Sequence, residues 1–239
     1  MFGLGTLINV VAIIIGGIFG GLFGKLLKES HQDALCKACG VCVLFIGISG
    51  ALEGLLQVAD GTIVSGGSML IIASLALGGL VGELLNIEGL FERFGAWLKE
   101  KTGNSRDRQF VDAFVTASLT VCIGAMAVVG SIADALQGDI SILVTKAILD
   151  LIIVMVMTCS MGKGCMFSAI PVFLWQGSIT CFAKLIQPLM TDAALGNLSL
   201  VGNVLIFCVG VNLLWDKRIR VANLLPAVLI AVIAAFLPF

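Results

Sequence analysis

Long apolar runs, separated by short polar or glycine-containing stretches, recur along the whole chain of 239 residues. Each run approaches the roughly 20 residues that a helix needs to cross the hydrocarbon core of a bilayer. The pattern predicts eight transmembrane helices, at about 6–24, 38–58, 67–85, 110–132, 140–161, 166–187, 197–215 and 221–238. The alternative is seven spans, with the last run lying flat or re-entering the membrane. The predicted fold class is all-α, a polytopic transmembrane helical bundle.

The segment at about 86–105 has a different pattern. Its apolar residues recur at helical three- and four-residue spacing: Ile87, Leu90, Phe91, Phe94, Trp97 and Leu98. Charged side chains fill the opposite face, so we expect an amphipathic helix in the inner membrane interface. Two roles stay open for it, a structural connection or a regulatory, partner-binding surface.

Composition strengthens the membrane assignment. Hydrophobic residues make up 59% of the chain and charged residues 12%, whereas a soluble domain carries about 25% charged residues. This excludes a soluble globular protein and a disordered chain. The net charge of -1 gives no reason to expect a nucleic-acid partner; the partners expected are the lipid bilayer and a small solute.

The basic residues orient the spans. With the N-terminus outside, 12 of the 14 Lys and Arg residues fall in inner loops, as the positive-inside rule requires. We therefore predict a multi-pass protein of the bacterial cytoplasmic (inner) membrane with both termini outside. No basic residue precedes the first run, so we interpret it as a span rather than a signal peptide.

Small residues recur at every fourth position in two runs. They are Gly16, Gly20 and Gly24 in the first run and Ser74, Gly78 and Gly82 in the third. Such spacing lets two helix backbones approach closely. The stripe of the first run is interpreted as a packing or gating face, and it predicts a homo-oligomer formed through the glycine-rich spans.

The stretch 130–139 between the fourth and fifth runs is short, polar and bounded by Gly130 and Gly138. It is either an outer turn or a broken helix or re-entrant loop whose free backbone groups face a pore or solute. In the second case Ser131 and Asp139 are candidate binding residues.

Ionisable and amide side chains also occur inside the runs. Lys146 and Asp150 are four residues apart, on one face of the fifth span. They form either a structural ion pair or a site at which Asp150 binds a cation or proton. In the sixth span, Gln176 either bridges helices or coordinates a solute, with Pro171 and Gly177 as candidate gating residues.

Four aspartates fall on the predicted outer side: Asp60, Asp134, Asp139 and Asp192. They are interpreted either as an acidic mouth that concentrates cations or as a by-product of the positive-inside rule.

Motifs for catalysis and cofactor binding are missing. The chain has one histidine, His31, no Walker lysine, and a Cys36, Cys39, Cys42 run without a fourth ligand. We therefore predict that the protein is not an enzyme and binds no metal or cofactor.

The two ends of the chain show weak internal similarity. Each has three spans, at about 5–85 and about 166–239, on either side of central spans at about 110–161. The predicted orientations of the two halves are opposite. This predicts an inverted repeat, which is typical of alternating-access transporters.

Several short motifs resemble one known family. They are Gly5-Thr6 followed by Asn9, then Gly130-Ser131-Ile132, Gly138-Asp139, Lys146, Leu149-Asp150, Ser168-Ala169, Pro171, Gln176-Gly177, and finally Asn223-Leu224-Leu225-Pro226-Ala227. The chain resembles the domain-of-unknown-function 554 (YdfK/YqgA-like) family of bacterial membrane proteins over essentially its whole length. This resemblance implies a multi-span architecture without an assigned reaction, and adds Asn9 and Asn223 to the candidate binding residues.

Together these features predict a transporter or channel-like protein for a small ion or small polar solute. Coupling to protons or sodium is part of this expectation, with a path around spans four to six. The alternative is a non-transporting membrane scaffold or partner-binding protein.

Overall fold

The computed structural model describes residues 3–59, 62–105, 107–215 and 219–237, which form a helical bundle with one short hairpin. Its helices are α1 (Leu4–Gly24), α2 (Glu29–Leu55), α3 (Ser68–Leu85), α4 (Ile87–Lys101), α5 (Phe110–Cys122), α6 (Ala125–Gln137), α7 (Ser141–Met161), α8 (Ala169–Cys181), α9 (Ala183–Ile186), α10 (Asp192–Leu214) and α11 (Pro226–Ala234). Segments of 3-10 helix cover Lys163–Ser168, Gln187–Leu189 and Val221–Leu224. The all-α fold class is confirmed.

The predicted apolar runs correspond to helices, with shifts at their ends. Within the described residues six helices are long and apolar enough to cross a membrane, or seven with the bent pair α5 and α6 counted as one span. The last apolar helix, Val221–Ala234, is shorter, so the eighth crossing stays a prediction. Helix α2 begins at Glu29 rather than near residue 38, because its first turns are polar and carry a Lys37–Asp33 ion pair.

A two-stranded antiparallel hairpin connects α2 to α3, and the sequence pattern did not predict it. Strand β1 (Leu56–Ala59) pairs with β2 (Thr62–Ser65), with Leu56 opposite Ser65. The predicted second span, which extended to residue 58, therefore ends as a helix at Leu55. Asp60 of the predicted acidic mouth lies outside the described residues.

Helices α1 and α7 run parallel and in close contact along their length. Gly5 lies beside Leu143 at the start of α7, and Gly24 lies beside Cys159 near its end. A side chain at Gly16 or Gly20 would overlap the backbone carbonyl of α7 opposite it. The glycines of α1 are therefore needed for the close approach of the two backbones.

This contact uses the α1 stripe for packing within one chain, one of the two interpretations of the stripe. Gly16, Gly20 and Gly24 are buried within one chain, so the stripe is not exposed to a second copy. Oligomerisation stays a prediction without an assigned surface. The stripe of α3 is used similarly, because Gly78 and Gly82 pack against Ala227 and Asn223.

Helices α5 and α6 form a span that is broken in its middle. They meet at an angle of 61°, and Gly124 between them has φ 145° and ψ 148°, a conformation that side chains disfavour. Phe110 at the start of α5 lies against Gly164, just past the end of α7. The second half of α6 lies at the other end, because Gly130 contacts Leu143 near the start of α7 and Asp134 accepts from the Gly5 amide of α1. The bent pair thus runs from one end of the bundle to the other.

The predicted fourth span is not one helix over 110–132, because α5 ends at Cys122 and α6 begins at Ala125. Of the two interpretations of the stretch 130–139, a break in the helix is wrong, because α6 continues to Gln137. Gly130 is an ordinary helical residue that gives room to Leu143, while Gly138 ends α6 with a φ of 71°. The backbone is broken at Gly124 because only glycine adopts its dihedral angles without strain.

The predicted amphipathic helix is α4, Ile87–Lys101. Its apolar face packs on α5, where the ring of Phe94 lies 5.8 Å from that of Phe114. Its first turn is tied to the segment before α11: the backbone N–H of Glu88 donates to Asn223 Oδ1 at 2.7 Å, and that of Ala222 donates to Glu88 Oε2 at 3.1 Å. These contacts support the structural interpretation of α4.

The helices assigned to the two proposed repeats pack on each other. Helix α2 runs antiparallel to α10, with Gly40 beside Leu213 and Gly54 beside Leu200. Helix α3 runs antiparallel to α11. Antiparallel packing is what an inverted repeat requires, and the repeat itself stays a prediction.

We call the end of the bundle that carries Gly5 the outer end, and the end that carries Gly24 the inner end, following the predicted orientation.

Candidate functional site

A buried ion pair lies where α1, α5 and α7 meet. The Nζ of Lys146 donates to Asp150 Oδ2 at 2.7 Å and to the carbonyl oxygen of Val121 at 2.8 Å. Asn9 Nδ2 donates to the same carboxylate oxygen at 3.0 Å. Asn9, Lys146 and Asp150 are 0%, 7% and 4% exposed. One ammonium and one carboxylate therefore connect three helices.

The break in the α5–α6 span explains why Lys146 is held there. Residues four apart lie on one helix face, which brings Lys146 and Asp150 together on α7. Because α5 ends at Cys122, the carbonyl of Val121 belongs to the last turn, whose carbonyls lack helical partners and carry partial negative charge. The ammonium of Lys146 donates a hydrogen bond to this carbonyl and also binds Asp150. The ion pair is therefore bonded directly to the helix end at the break.

A second group of buried polar side chains occurs on α1, α6 and α8, three helices that contact one another. It consists of Thr6, Asn9, Ser131, Asp134 and Gln176, and we call it the outer polar cluster. None of these residues is more than 2% exposed. Asp134 Oδ2 accepts a hydrogen bond of 2.9 Å from the backbone N–H of Gly5, in the first turn of α1.

The outer polar cluster is rich in atoms without a partner. Within the described part of the chain no hydrogen bond reaches Thr6 Oγ1, Asn9 Oδ1, Ser131 Oγ, Asp134 Oδ1, Gln176 Oε1 or Gln176 Nε2. Buried polar groups are nearly always hydrogen-bonded, so each exception calls for a bound water, an ion or a functional role. This cluster is therefore the second candidate site.

A cavity of about 750 Å³ enters the bundle from the inner end. Its described lining comes mainly from α2, α5 and α10 and includes the acidic residues Glu29, Asp33, Glu88 and Asp112 and the basic residue Lys37. Leu119 on the wall of the cavity lies one helical turn before Ile123, the residue between the end of α5 and the break at Gly124. The cavity thus leads from the inner surface toward the broken span.

The cavity coincides with only part of the predicted path, which stays a prediction. The path was expected around spans four to six, with Asp150, Lys146 and Gln176 near its centre. The cavity uses α5 of span four, but α2 and α10 rather than α8 form its other walls, and Lys146 and Asp150 are not among its lining residues.

Other predicted site residues are placed away from both buried groups. Asp139 lies exposed in the turn before α7, where hydrogen bonds from the Ser141 hydroxyl and backbone N–H lower the pKa of the Asp139 carboxyl. Asn223 ties α4 and α3 together, since its Nδ2 also donates to Glu83 at 2.6 Å. Neither residue is among those that line the inner cavity.

The two candidate gating residues of the sixth span have different positions. Pro171 lies in the first turn of α8, because the residues before Ala169 form a 3-10 segment. A proline is tolerated there without bending the helix, although the position lies near the middle of the apolar stretch Lys163–Cys181. Gly177 faces open space, with no atom within 4 Å of an added side chain.

Sequence reasoning missed Gly124, Thr6 and the burial of Asp134. Gly124 is one glycine inside an apolar run, and no sequence signal separates it from a packing glycine. Asp134 was grouped with the outer acidic residues. Its spacing of three residues from Ser131 places both on one helix face, and this spacing is the signal from which a shared buried site could have been predicted.

The fold and the two buried polar groups define a multi-pass helical membrane protein with a broken central span. The family described as "Protein of unknown function (DUF554)" matches residues 4–236, and the chain belongs to this family. The chain is similar to the "Uncharacterized membrane protein YdfK" of Bacillus subtilis (strain 168), with 34% identity across 97% of this chain and 95% of that protein. It is also similar to the "Uncharacterized protein YqgA" of Escherichia coli (strain K12), with 29% identity across 95% and 94%. No solved structure matches the chain.

Proposed function

We propose that the protein is a transporter or channel-like protein for a small ion or small polar solute. The observation that carries this proposal is the broken span α5–α6. The last turn of α5 accepts a hydrogen bond from Lys146. That turn follows directly after Leu119, which lines the inner cavity. We place the protein in the bacterial cytoplasmic membrane with its N-terminus outside, as the basic residues of the inner loops favour.

Broken spans are a recurring device of transport proteins. In the middle of a bilayer, free backbone groups are tolerated only where protein or water satisfies them. The break at Gly124 therefore needs a reason, and transporters use such half-helix ends to hold ions and solutes. The buried Lys146–Asp150 pair beside the break adds ionisable groups that are costly at this depth.

The inner cavity favours positively charged or neutral polar solutes. Among the described residues four carboxylate side chains and one ammonium line it, and clefts with one predominant sign of charge concentrate ions of the opposite sign. Lys37 of this lining is paired with Asp33 at 2.7 Å, so the remaining charge of the described lining is acidic.

The test is current measurement on purified protein in liposomes adsorbed to a solid-supported membrane. Concentration jumps of Na⁺, K⁺, glycine, lactate, spermidine and phosphate are applied in turn. We expect a current, or a charge movement that depends on the solute, with one class of these solutes. We expect this signal to be lost in Asp150→Asn. Thr116→Trp is a second variant, because Thr116 lines the cavity and its replacement narrows the path without touching the ion pair.

Glu100→Gln is the matched control, because Glu100 is an exposed acid in the last turn of α4. Equal responses of wild type, Asp150→Asn and Thr116→Trp to every solute contradict the proposal. That outcome favours the second candidate, a membrane scaffold, for which the exposed Leu90 and Trp97 of α4 offer an apolar contact surface.

A further inference from the structure

We propose that the outer polar cluster binds one dehydrated alkali-metal cation. This inference rests on the proposed function, because it names the ion to which transport is coupled. Its ligands are the partnerless oxygens of Thr6, Asn9, Ser131, Asp134 and Gln176.

The helix packing brings these side chains to one place. Asp134 reaches the backbone of Gly5 at 2.9 Å, and Thr6 and Asn9 follow Gly5 by one residue and by one helical turn. Ser131 precedes Asp134 by three residues and so shares its face of α6.

Gln176 is placed by the register of α8 on α1. The two helices are antiparallel, with Gly3 beside Thr180 and Gly17 beside Met166. This register sets Gln176 level with the segment between Thr6 and Asn9. Because Gln176 is 1% exposed, its side chain is directed into the bundle rather than to the lipid.

The atoms available are those that a hard cation prefers. They are two hydroxyl oxygens, two amide oxygens and one carboxylate oxygen, and alkali and alkaline-earth cations bind oxygen ligands. The single carboxylate favours a monovalent over a divalent ion, since Ca²⁺ sites draw on several carboxylates.

The charge of Asp134 supports the same conclusion. A buried carboxylate is costly unless it is paired. Asp150 has Lys146 as its partner, whereas within the described residues no Lys or Arg forms an ion pair with Asp134. Its one hydrogen bond comes from the Gly5 amide. A bound cation neutralises the carboxylate and satisfies its free oxygen together with the four neutral ligands.

Asn9 connects this site to the ion pair at the break. Its Nδ2 donates to Asp150, and its Oδ1 is one of the partnerless oxygens. A cation bound at Oδ1 fixes the orientation of this amide and with it the hydrogen bond to Asp150. Occupancy of the outer polar cluster is thereby coupled to the Lys146–Asp150 pair.

Thermal unfolding of the purified full chain in lipid nanodiscs tests the site without requiring transport. NaCl, KCl or LiCl replaces choline chloride at constant ionic strength, because a ligand that binds the folded state stabilises it in a saturable way. We expect saturable stabilisation by at least one alkali cation relative to choline. The effect is lost in Asp134→Asn, weakened about tenfold in apparent affinity in Ser131→Ala, and unchanged in Glu100→Gln.

Equal midpoints in alkali and choline salts overturn the proposal and leave a water-filled polar pocket as the explanation. The proposal is also overturned if Ser131→Ala, which removes one oxygen and adds no bulk, binds the cation as tightly as wild type. This variant decides the question if Asp134→Asn does not fold. Cation binding without any solute current overturns the proposed transport but not the site, and current without cation binding overturns only the site.

Discussion

The side chain of Lys146 reaches the backbone of Val121, 25 residues earlier in the chain, with an Nζ–O distance of 2.8 Å. Val121 lies in the last turn of α5, just before the backbone breaks at Gly124. The same ammonium binds Asp150. The ion pair is therefore attached to the one place in the described membrane helices where a span is sharply bent, so a change in either element is transmitted to the other.

Removing one member of the ion pair is expected to destabilise the fold. Lys146→Met leaves Asp150 buried beside Asn9 without a counter-charge, and the expected loss is about 3–5 kcal/mol, as for other buried pairs broken on one side. Thermal unfolding in nanodiscs measures it. Lys146→Met with Asp150→Leu removes both charges and is expected to recover most of the loss. A double variant no more stable than Lys146→Met contradicts this account.

Gly124→Ala is expected to straighten or destabilise the broken span. The backbone angles of Gly124, φ 145° and ψ 148°, are strained for any side chain, and such strain costs about 1–3 kcal/mol. No atom lies within 4 Å of an added Cβ there. A loss of stability in this variant is therefore caused by backbone strain and not by a steric clash. Gly196→Ala is the control: it is an exposed helical glycine with equal space, where alanine stabilises by about 0.5–1 kcal/mol. Similar unfolding midpoints for the two variants contradict the role of Gly124.

The sequence predicts most helices of this fold because long apolar runs and charged loops leave few alternatives in a membrane. It does not predict the break, since Val121, Ile123 and Gly124 form part of one apolar run and the strain is visible only in the dihedral angles. Asn9, Lys146 and Asp150 were each singled out, but their contact depends on the parallel packing of α1 on α7, between residues that lie 141 positions apart. The sequence shows which residues share one face of a helix, but it does not show which other helix packs against that face.

The glycines of α1 provide a matched pair of substitutions. Gly20→Ala places a Cβ against the Met155 carbonyl and the Thr158 side chain of α7, whereas Gly21→Ala meets only Thr158 Cγ2, at 4.0 Å. Overpacking of this kind costs about 1–3 kcal/mol. We expect Gly20→Ala to lower the unfolding midpoint and Gly21→Ala to leave it near wild type. If Gly20→Ala changed only the oligomeric state in size-exclusion chromatography, the α1–α7 contact would not be the role of this glycine.

Asn223→Ala separates a structural from a solute-binding role for this residue. Its Oδ1 accepts from the buried Glu88 amide and its Nδ2 donates to Glu83, so the variant is expected to lose about 1–3 kcal/mol of stability. Cation binding at the outer polar cluster is expected to be unchanged, because α3 and α4 supply none of its ligands. Loss of binding in a variant of normal stability would restore the interpretation of Asn223 as a site residue.

Reporter fusions decide the orientation and the last crossing together. Alkaline phosphatase is active only outside the cytoplasmic membrane, and green fluorescent protein folds when it remains inside. After residue 104, between α4 and α5, we expect fluorescence and no phosphatase activity, because the surrounding basic residues favour the inner side. At the C-terminus we expect the reverse, since the predicted eighth crossing returns the chain outside.

Fluorescence at both positions means that Val221–Ala234, which is shorter than the six long spans, does not cross. Phosphatase activity after residue 104 means that the whole bundle is inverted, and the acidic cavity of about 750 Å³ then opens to the outside.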